Sequence, residues 1–314
     1  MKKIFVTGSL AFDRIMNFDG KFSDHILPEK IHDLNISLVV NDVKENFGGC
    51  AGNIAYNLAL LGEKPVILSS AGKDFGPYKT WLEKFGVDNS RIVIDQTRLT
   101  SSVNIVTDQA NNQFSTFHSG AGAQLCSNIQ SDDLDKDSIA IIAPTNVDDM
   151  VTHAALYKEN DVPYIFDPGQ RITAHSRESL LQCIDGAHTL ICNDYELSMV
   201  LKKIDLKKTD VQRMVQLLIT TYGERGSIIE QGKEMYNIPP ARPLNTSDPT
   251  GAGDAFRAGF IKGLVSGLSL EMCGKLGAVV AVYTVEKYGT QTHHFTIQEL
   301  KQRYTENFGE ELTI

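Results

Sequence analysis

Basic residues are the scarcer charge in this 314-residue chain: 30 Lys and Arg stand against 39 Asp and Glu, a formal net charge of −9. That balance carries no basic footprint for sequence-independent binding of nucleic acid. Long apolar runs are missing too, since stretches such as 139–144 and 277–285 fall far short of the roughly 20 residues a membrane span needs. Cysteine is sparse: Cys50, Cys126, Cys183, Cys192 and Cys273 make five, an odd number without CxxC spacing, which reads as small buried thiols rather than a disulfide framework. No internal repeat or low-complexity linker divides the chain, and no apolar leader pattern follows Met1-Lys2-Lys3, so the expectation is a cytoplasmic protein with no membrane or nucleic-acid partner.

What is present is ordinary globular material, 42% hydrophobic and 22% charged. Short apolar runs at 3–7, 65–70, 139–144, 163–167, 189–192, 217–222 and 227–230 predict strands. Between them lie amphipathic stretches; 52–61 aligns Ile54, Leu58 and Leu61, and 76–85 aligns Trp81, Leu82 and Phe85. Apolar strands alternating with helices predict an α/β fold with a mostly parallel sheet covered on both faces, whose ligands bind beyond the carboxyl ends of the strands. Two regions break that rhythm. Residues 14–46 lack a helical period, with 34–40 reading as a strand, and 100–118 alternate around a polar turn as a hairpin does. Both are expected in a small sheet standing off the main one, the alternative being edge strands of the main sheet.

The most informative stretch is Ser247-Asp248-Pro249-Thr250-Gly251-Ala252-Gly253-Asp254, with Phe256, Phe260, Ile261 and Leu264 following at helical spacing. A helix start fed by glycines presents free N–H groups and the positive end of the helix dipole to an anion. Asp254 would stand beside that anion, placed to take a proton from an attacking hydroxyl; the plainer reading is an acidic first-turn residue. The string is neither a P-loop nor a dinucleotide fingerprint. Phe47-Gly48-Gly49-Cys50-Ala51-Gly52-Asn53 leads into another helix, with Asn53 either capping it or offering its amide to hydroxyls. Asp13 falls in the loop beyond the carboxyl end of the first strand and could accept two hydroxyl protons. Asn193 and Glu196 read as a capping box or as holders of the water shell of Mg²⁺. Thr221-Tyr222-Gly223-Glu224-Arg225-Gly226 reads as a glycine turn or a loop on nucleotide phosphates. The histidines, His293 and His294 among them, have no metal spacing and read as structural or surface residues.

In their order and spacing over residues 6–296, these motifs resemble the ribokinase, or PfkB, carbohydrate kinase family. Ala71-Gly72-Lys73-Asp74-Phe75-Gly76 belongs to the same series, and Phe166-Asp167-Pro168-Gly169-Gln170 resembles the bacterial adenosine kinase and ribokinase-like branch. The resemblance implies a single ribokinase-like kinase domain over 1–314: a Rossmann-type sheet flanked by helices, with a small β lid whose strands are inserted at about 14–46 and 100–118. It implies Asp254 as general base, with Gly251, Ala252 and Gly253 as the anion hole. Asp13, Gly48, Gly49 and Asn53 would hold the acceptor; Asn193, Glu196, Thr221, Gly223 and Gly226 would handle ATP and Mg²⁺, Glu196 through water. Asp248 falls where many members bind a monovalent cation such as K⁺, although Pro249 replaces the usual threonine beside it.

The acceptor divides the expectations. A nucleoside, adenosine first, needs an apolar wall, for which Phe12, Phe114 and Phe117 are candidates. A free sugar such as ribose or fructose needs more hydroxyl partners, and a sugar phosphate a fixed cation from Arg14, Lys21 or Lys44. A non-catalytic nucleotide or sugar sensor is the reading outside enzymes, and an intact Asp254 argues against it. An apolar lid face from Val103, Ile105, Phe114 and Phe117 would also suit a homodimer through the lid.

Overall fold

The computed structural model describes residues 2–314 apart from 27, 34, 111, 127, 128 and 136. The chain runs β1 (Ile4–Thr7), β2 (Ala11–Asn17), β3 (Val43–Gly48), α1 (Cys50–Leu60), β4 (Val66–Gly72), α2 (Gly76–Lys84), β5 (Ile92–Asp95), β6 (Ser101–Thr107) and β7 (Gln113–His118). It continues with β8 (Ile139–Ile142), α3 (Val147–Glu159), β9 (Tyr164–Phe166), α4 (Arg177–Ile184), β10 (Thr189–Asn193), α5 (Asp194–Ile204), α6 (Lys208–Met214) and β11 (Leu217–Thr221). The remainder is β12 (Ser227–Gln231), β13 (Glu234–Ile238), α7 (Ala252–Val265), α8 (Leu270–Val285) and α9 (Ile297–Phe308).

Nine strands form the large sheet in the order β13-β12-β11-β10-β9-β8-β1-β4-β5, with β12 antiparallel to both its neighbours and the other pairings parallel. Because successive side chains of a strand point to opposite faces, each strand feeds two cores. Ile4, Val6, Ile139 and Ile141 pack with α1, α2, α7, α8 and α9, while Phe5, Ala140 and Ile142 pack with α3, α4, α5 and α6. Each fully buried aliphatic side chain contributes about 1.5–3 kcal/mol, so three layers follow from the near-continuous apolar strands. All seven predicted strands are present. The five cysteines are free thiols, and among the described residues no helix is long and apolar enough to cross a membrane.

The two irregular regions pair with each other, not with the main sheet: β3, β2, β6 and β7 form a separate four-stranded sheet. The hairpin forms as β6 and β7, antiparallel from Ser102↔His118 to Thr107↔Gln113. The strand expected over 34–40 does not form. Position 34 lies outside the described residues, residues 35–40 carry no regular structure, and pairing with β2 is made instead by β3, whose register Asp13↔Asn46 places glycine-rich backbone opposite the start of β2. The apolar residues Leu38, Val39 and Val40 thus have no sheet partner, which shows that composition alone did not determine the strand.

Candidate active site

A cleft of about 580 Å³ opens beyond the carboxyl ends of β8 to β11, where Pro144, Asp167, Asn193 and Thr221 each follow or end a strand. Strand order reverses beside β1, and this is where an open parallel sheet leaves a crevice. The opposite wall is the start of α7. Gly251 caps that helix in the left-handed conformation (φ 78°), as the glycine-fed turn predicts. Ala252 N–H donates to the Pro249 carbonyl at 3.2 Å and Ala255 N–H to the Gly251 carbonyl at 2.9 Å. The N–H groups of Gly251, Gly253 and Asp254 have no hydrogen-bond partner among the described residues. Of the expected anion hole, Gly251 and Gly253 therefore present free donors, whereas Ala252 is engaged and Asp254 adds one of its own.

Asp254 is enclosed. Burial pushes its carboxyl above the ordinary range, against Arg257, the Asn53 amide and the Cys50 thiol, which favour the ionised form. Arg257 lies one turn further along α7 and pairs with Asp167 at 2.6 Å, both side chains under a tenth exposed. Burial opposes the guanidinium charge, but Asp167 and Asp254 outweigh it and hold Arg257 firmly protonated. Arg257, Asp167, Gln170 and Cys50 line the cleft and were not among the sequence candidates. For Arg257 a signal existed: a residue three positions after Asp254 shares its helix face.

Asn53 sits inside α1, not at its cap; the cap is Gly49. Its amide donates to Asp254 Oδ2 at 2.8 Å and accepts from Gln291 Nε2 at 3.1 Å, so the glycine-led helix α1 and Asp254 are joined across 201 positions. Asp13 lies not in a loop but on β2, opposite Asn46, and its carboxylate passes over Gly48, where a Cβ would fall 2.3 Å from Oδ2. That close approach is why glycine stands there. Burial, then the charges of Asp248 and Asp254, pushes the Asp13 carboxyl up to about 6.

Asn193 and Glu196 do form the capping box of α5: Asn193 Oδ1 accepts from Glu196 N–H at 2.7 Å and Glu196 Oε2 from Asn193 N–H at 2.9 Å. Both still line the cleft, with Thr221 and Gly223. Gly226 does not line it. A Cβ there would come within 2.1 Å of the Ile238 carbonyl, so close packing at the end of β13 accounts for this glycine. Asp248 ties the turn before α7 to the segment after α8, its two oxygens accepting from Thr250 N–H at 2.9 Å and Gly289 N–H at 3.1 Å. His293 is buried, with Nε2 2.8 Å from Asn57 Oδ1, in keeping with a structural role.

The face of the small sheet that carries Asp13 is set by register. Val103 pairs with Asp13 and Phe117 with Val103, while Ile15 and Ile105 form the next row. Phe117 is therefore the one expected aromatic on that face, and it is exposed. Phe12 points the other way and is buried against Phe47 and Tyr78. Phe114 also points away and packs on Phe22 at 4.7 Å. Arg14 shares that far face and is held by Glu45 at 2.8 Å.

Comparison with known proteins agrees with this geometry. The model of the pfkB family carbohydrate kinases matches residues 1–296. A nucleoside kinase of Methanocaldococcus jannaschii is 30% identical over 305 residues, covering 96% of this chain and 97% of its own. The structure of a Burkholderia thailandensis nucleoside kinase in complex with inosine superposes with a TM-score of 0.86 at 33% identity, over 98% of this chain and 99% of that one. The same enzyme in complex with ADP-inosine gives 0.85 at 34%, over 98% and 97%. A half-buried aspartate at an N–H-rich helix start, in a ribokinase-like fold matched along nearly its whole length, leaves one conclusion: the chain is a kinase and belongs to the pfkB family of carbohydrate kinases.

Proposed function

We propose that this kinase transfers the γ-phosphoryl group of ATP to the primary hydroxyl of a nucleoside's ribose, with adenosine the first acceptor to test. The observation that carries the reading is the apolar row Ile15, Val103, Ile105 and Phe117 on the face of the small sheet that also carries Asp13. A carboxylate accepting ribose hydroxyls beside an apolar wall, with Lys44 at its β3 edge over the Tyr288 ring, suits a nucleoside, whose base needs apolar cover; a free sugar has no use for the wall. The relatives named as nucleoside kinases support the same choice.

In this reading Asp254 takes the hydroxyl proton as the oxygen attacks the γ-phosphorus, the bond to the β-phosphate oxygen breaks, and ADP leaves with that electron pair. The free N–H groups of Gly251, Gly253 and Asp254 stabilise charge on the transferring oxygens, the kind of preorganised donor set that dominates phosphoryl transfer. Arg257 adds a positive charge that its pairing with Asp167 holds in place. Glu196 keeps an oxygen beyond the one engaged by Asn193, which fits an outer-sphere role toward Mg²⁺, an ion that retains most of its waters. Such an ion would neutralise the phosphate oxygens of ATP. Each Asp248 oxygen accepts one N–H and retains a second acceptor site, so a monovalent cation such as K⁺ fits beside it. The small sheet acts as a lid that excludes water as a competing acceptor.

The lid also supplies the proposed homodimer contact. Its edge strand β7 is exposed along its whole length and carries no charge and no proline, the features that normally block edge pairing. Pairing β7 with its copy uses backbone groups and leaves the Asp13 face free for the acceptor.

An ADP-release assay with Mg-ATP against adenosine, inosine, cytidine, ribose, fructose and fructose phosphates tests the function. Turnover is expected with one or more nucleosides and is expected to fall about 10²–10⁴-fold in Asp254→Asn with ATP binding retained. Turnover with free sugars alone would overturn the acceptor, and an undiminished Asp254→Asn would overturn the base.

A further inference from the structure

The hydrogen bond from Asn53 to Asp254 is the end of a longer buried chain whose direction is set at the far end. Trp81, on α2, donates its indole N–H to Gln291 Oε1 at 3.1 Å. An indole nitrogen can only donate, so the oxygen of Gln291 must face it. That leaves Gln291 Nε2 to donate twice, to Asn53 Oδ1 at 3.1 Å and to the Tyr78 hydroxyl at 2.6 Å. With Oδ1 engaged, Asn53 turns Nδ2 toward Asp254 Oδ2 at 2.8 Å. Tyr78, having accepted, donates to the Gly48 carbonyl at 2.9 Å, beneath Asp13. The reverse setting of the two amides would place the Asn53 carbonyl against a carboxylate.

We propose that Gln291, oriented by Trp81, is a positioning residue for the base: it fixes the Asn53 amide so that a donor, never an acceptor, faces Asp254. The inference rests on the reading of Asp254 as general base. Gln291, Asn53 and Tyr78 are each under 5% exposed, so water does not compete for these bonds. The segment that carries Gln291 is pinned on both sides, by Thr290 Oγ1 on the Phe47 carbonyl at 2.9 Å and by the Tyr56 hydroxyl on the His293 carbonyl. The charged and titratable groups around Asp254 are Arg257 on its own helix, Cys50 from α1, Asp13 from β2, Asp167 after β9, Glu196 from α5 and the Tyr78 phenol from α2. Burial keeps the Tyr78 phenol neutral, and the three carboxylates oppose an ionised Asp254. A donor kept in place by the chain offsets them.

The test is the pH dependence of kcat between pH 5.5 and 9, with Mg-ATP and a nucleoside substrate, for the wild-type protein, Gln291→Leu, Trp81→Phe and Asp254→Asn. Losing the oriented donor raises the pH at which the base ionises. In Gln291→Leu the acid limb is expected to move up by about one pH unit, with kcat about 10-fold lower near pH 6, within about 3-fold of wild type at pH 9, and an unchanged KM for ATP. Trp81→Phe keeps the aromatic packing and removes only the N–H, so it should shift the limb the same way by less, and it decides the matter where Gln291→Leu does not fold. An unmoved acid limb in folded variants, whether kcat is unchanged or lowered equally at every pH, overturns the positioning role. If Asp254→Asn is inactive while the limbs stay put, only this inference fails; if Asp254→Asn stays active, the base assignment itself fails.

Discussion

Asp13 and Asp254 are two partly buried carboxylates held close enough to feel each other, and the balance at each is struck by its immediate neighbours. Asp254 has an amide, a thiol and a guanidinium on its side. For Asp13 no such donor is present among the described residues, and its carboxyl sits at about 6 rather than 3.8. The folded state therefore binds this proton more tightly than the unfolded chain does. Between about pH 4 and pH 6 native stability falls as pH rises, and above pH 6 the cost of the ionised group is present in full. Asp13→Asn removes that cost. It is expected to raise the melting temperature at pH 7.5, by an amount corresponding to about 2 kcal/mol, and to have no such effect at pH 4. The same variant should raise KM for the acceptor about 10-fold or more, because an amide accepts ribose hydroxyls less strongly than a carboxylate. A melting temperature unchanged at both pH values would refute the assignment of strain to this group.

Elements with strong apolar runs or glycine punctuation were legible before any coordinates. β1, β4 and β8 to β11 read as strands because they are buried on both faces, β12 because its apolar run alternates, and α1 and α7 began where glycine turns met helical spacing. β5 and β13 were not predicted, being short and partly exposed, so that their patterns are mixed. The segment 34–40 misled for the opposite reason, since β-branched residues there met no partner strand. Which aromatic shares the face of Asp13 was also beyond sequence reading, because a one-residue change of register moves every side chain of a strand to the other face. With Phe117 placed beside Val103 and Asp13, Phe117→Ala should raise KM for a nucleoside about 5–10-fold while leaving KM for ATP unchanged. Phe114→Ala, on the opposite face against Phe22, should leave both KM values unchanged and lower stability instead. Equal effects of the two substitutions on nucleoside KM would dismiss the wall.

For the whole molecule, the small sheet is the part whose surface the main core does not explain. Two cores account for both faces of the nine-stranded sheet, whereas β7 is left as an uncharged edge and its Phe114 and Phe117 remain about half exposed. Light scattering at micromolar concentration is expected to give twice the 34.6 kDa chain mass, and a charge placed on that edge by Thr116→Lys is expected to return it to one chain. A single-chain mass for the unaltered protein would remove the dimer. Its net charge of −9 makes association through this neutral edge, rather than through the acidic remainder, the electrically cheaper route.

From the sequence alone came the family resemblance, the α/β order, the anion-binding turn before α7 and the identity of Asp254 and Asp13, because each is a local pattern of residue types carried by a few consecutive positions. Tertiary structure alone decided what surrounds them. Arg257 with Asp167, Asn53 with Asp254, and Trp81, Tyr78 and Gln291 behind them meet across separations of up to 238 positions, and nothing in any one segment announces such a meeting. Hydrogen-bond direction, burial and charge balance are properties of neighbours in space. They settle whether a carboxylate named by its motif is ionised, and only the fold supplies those neighbours.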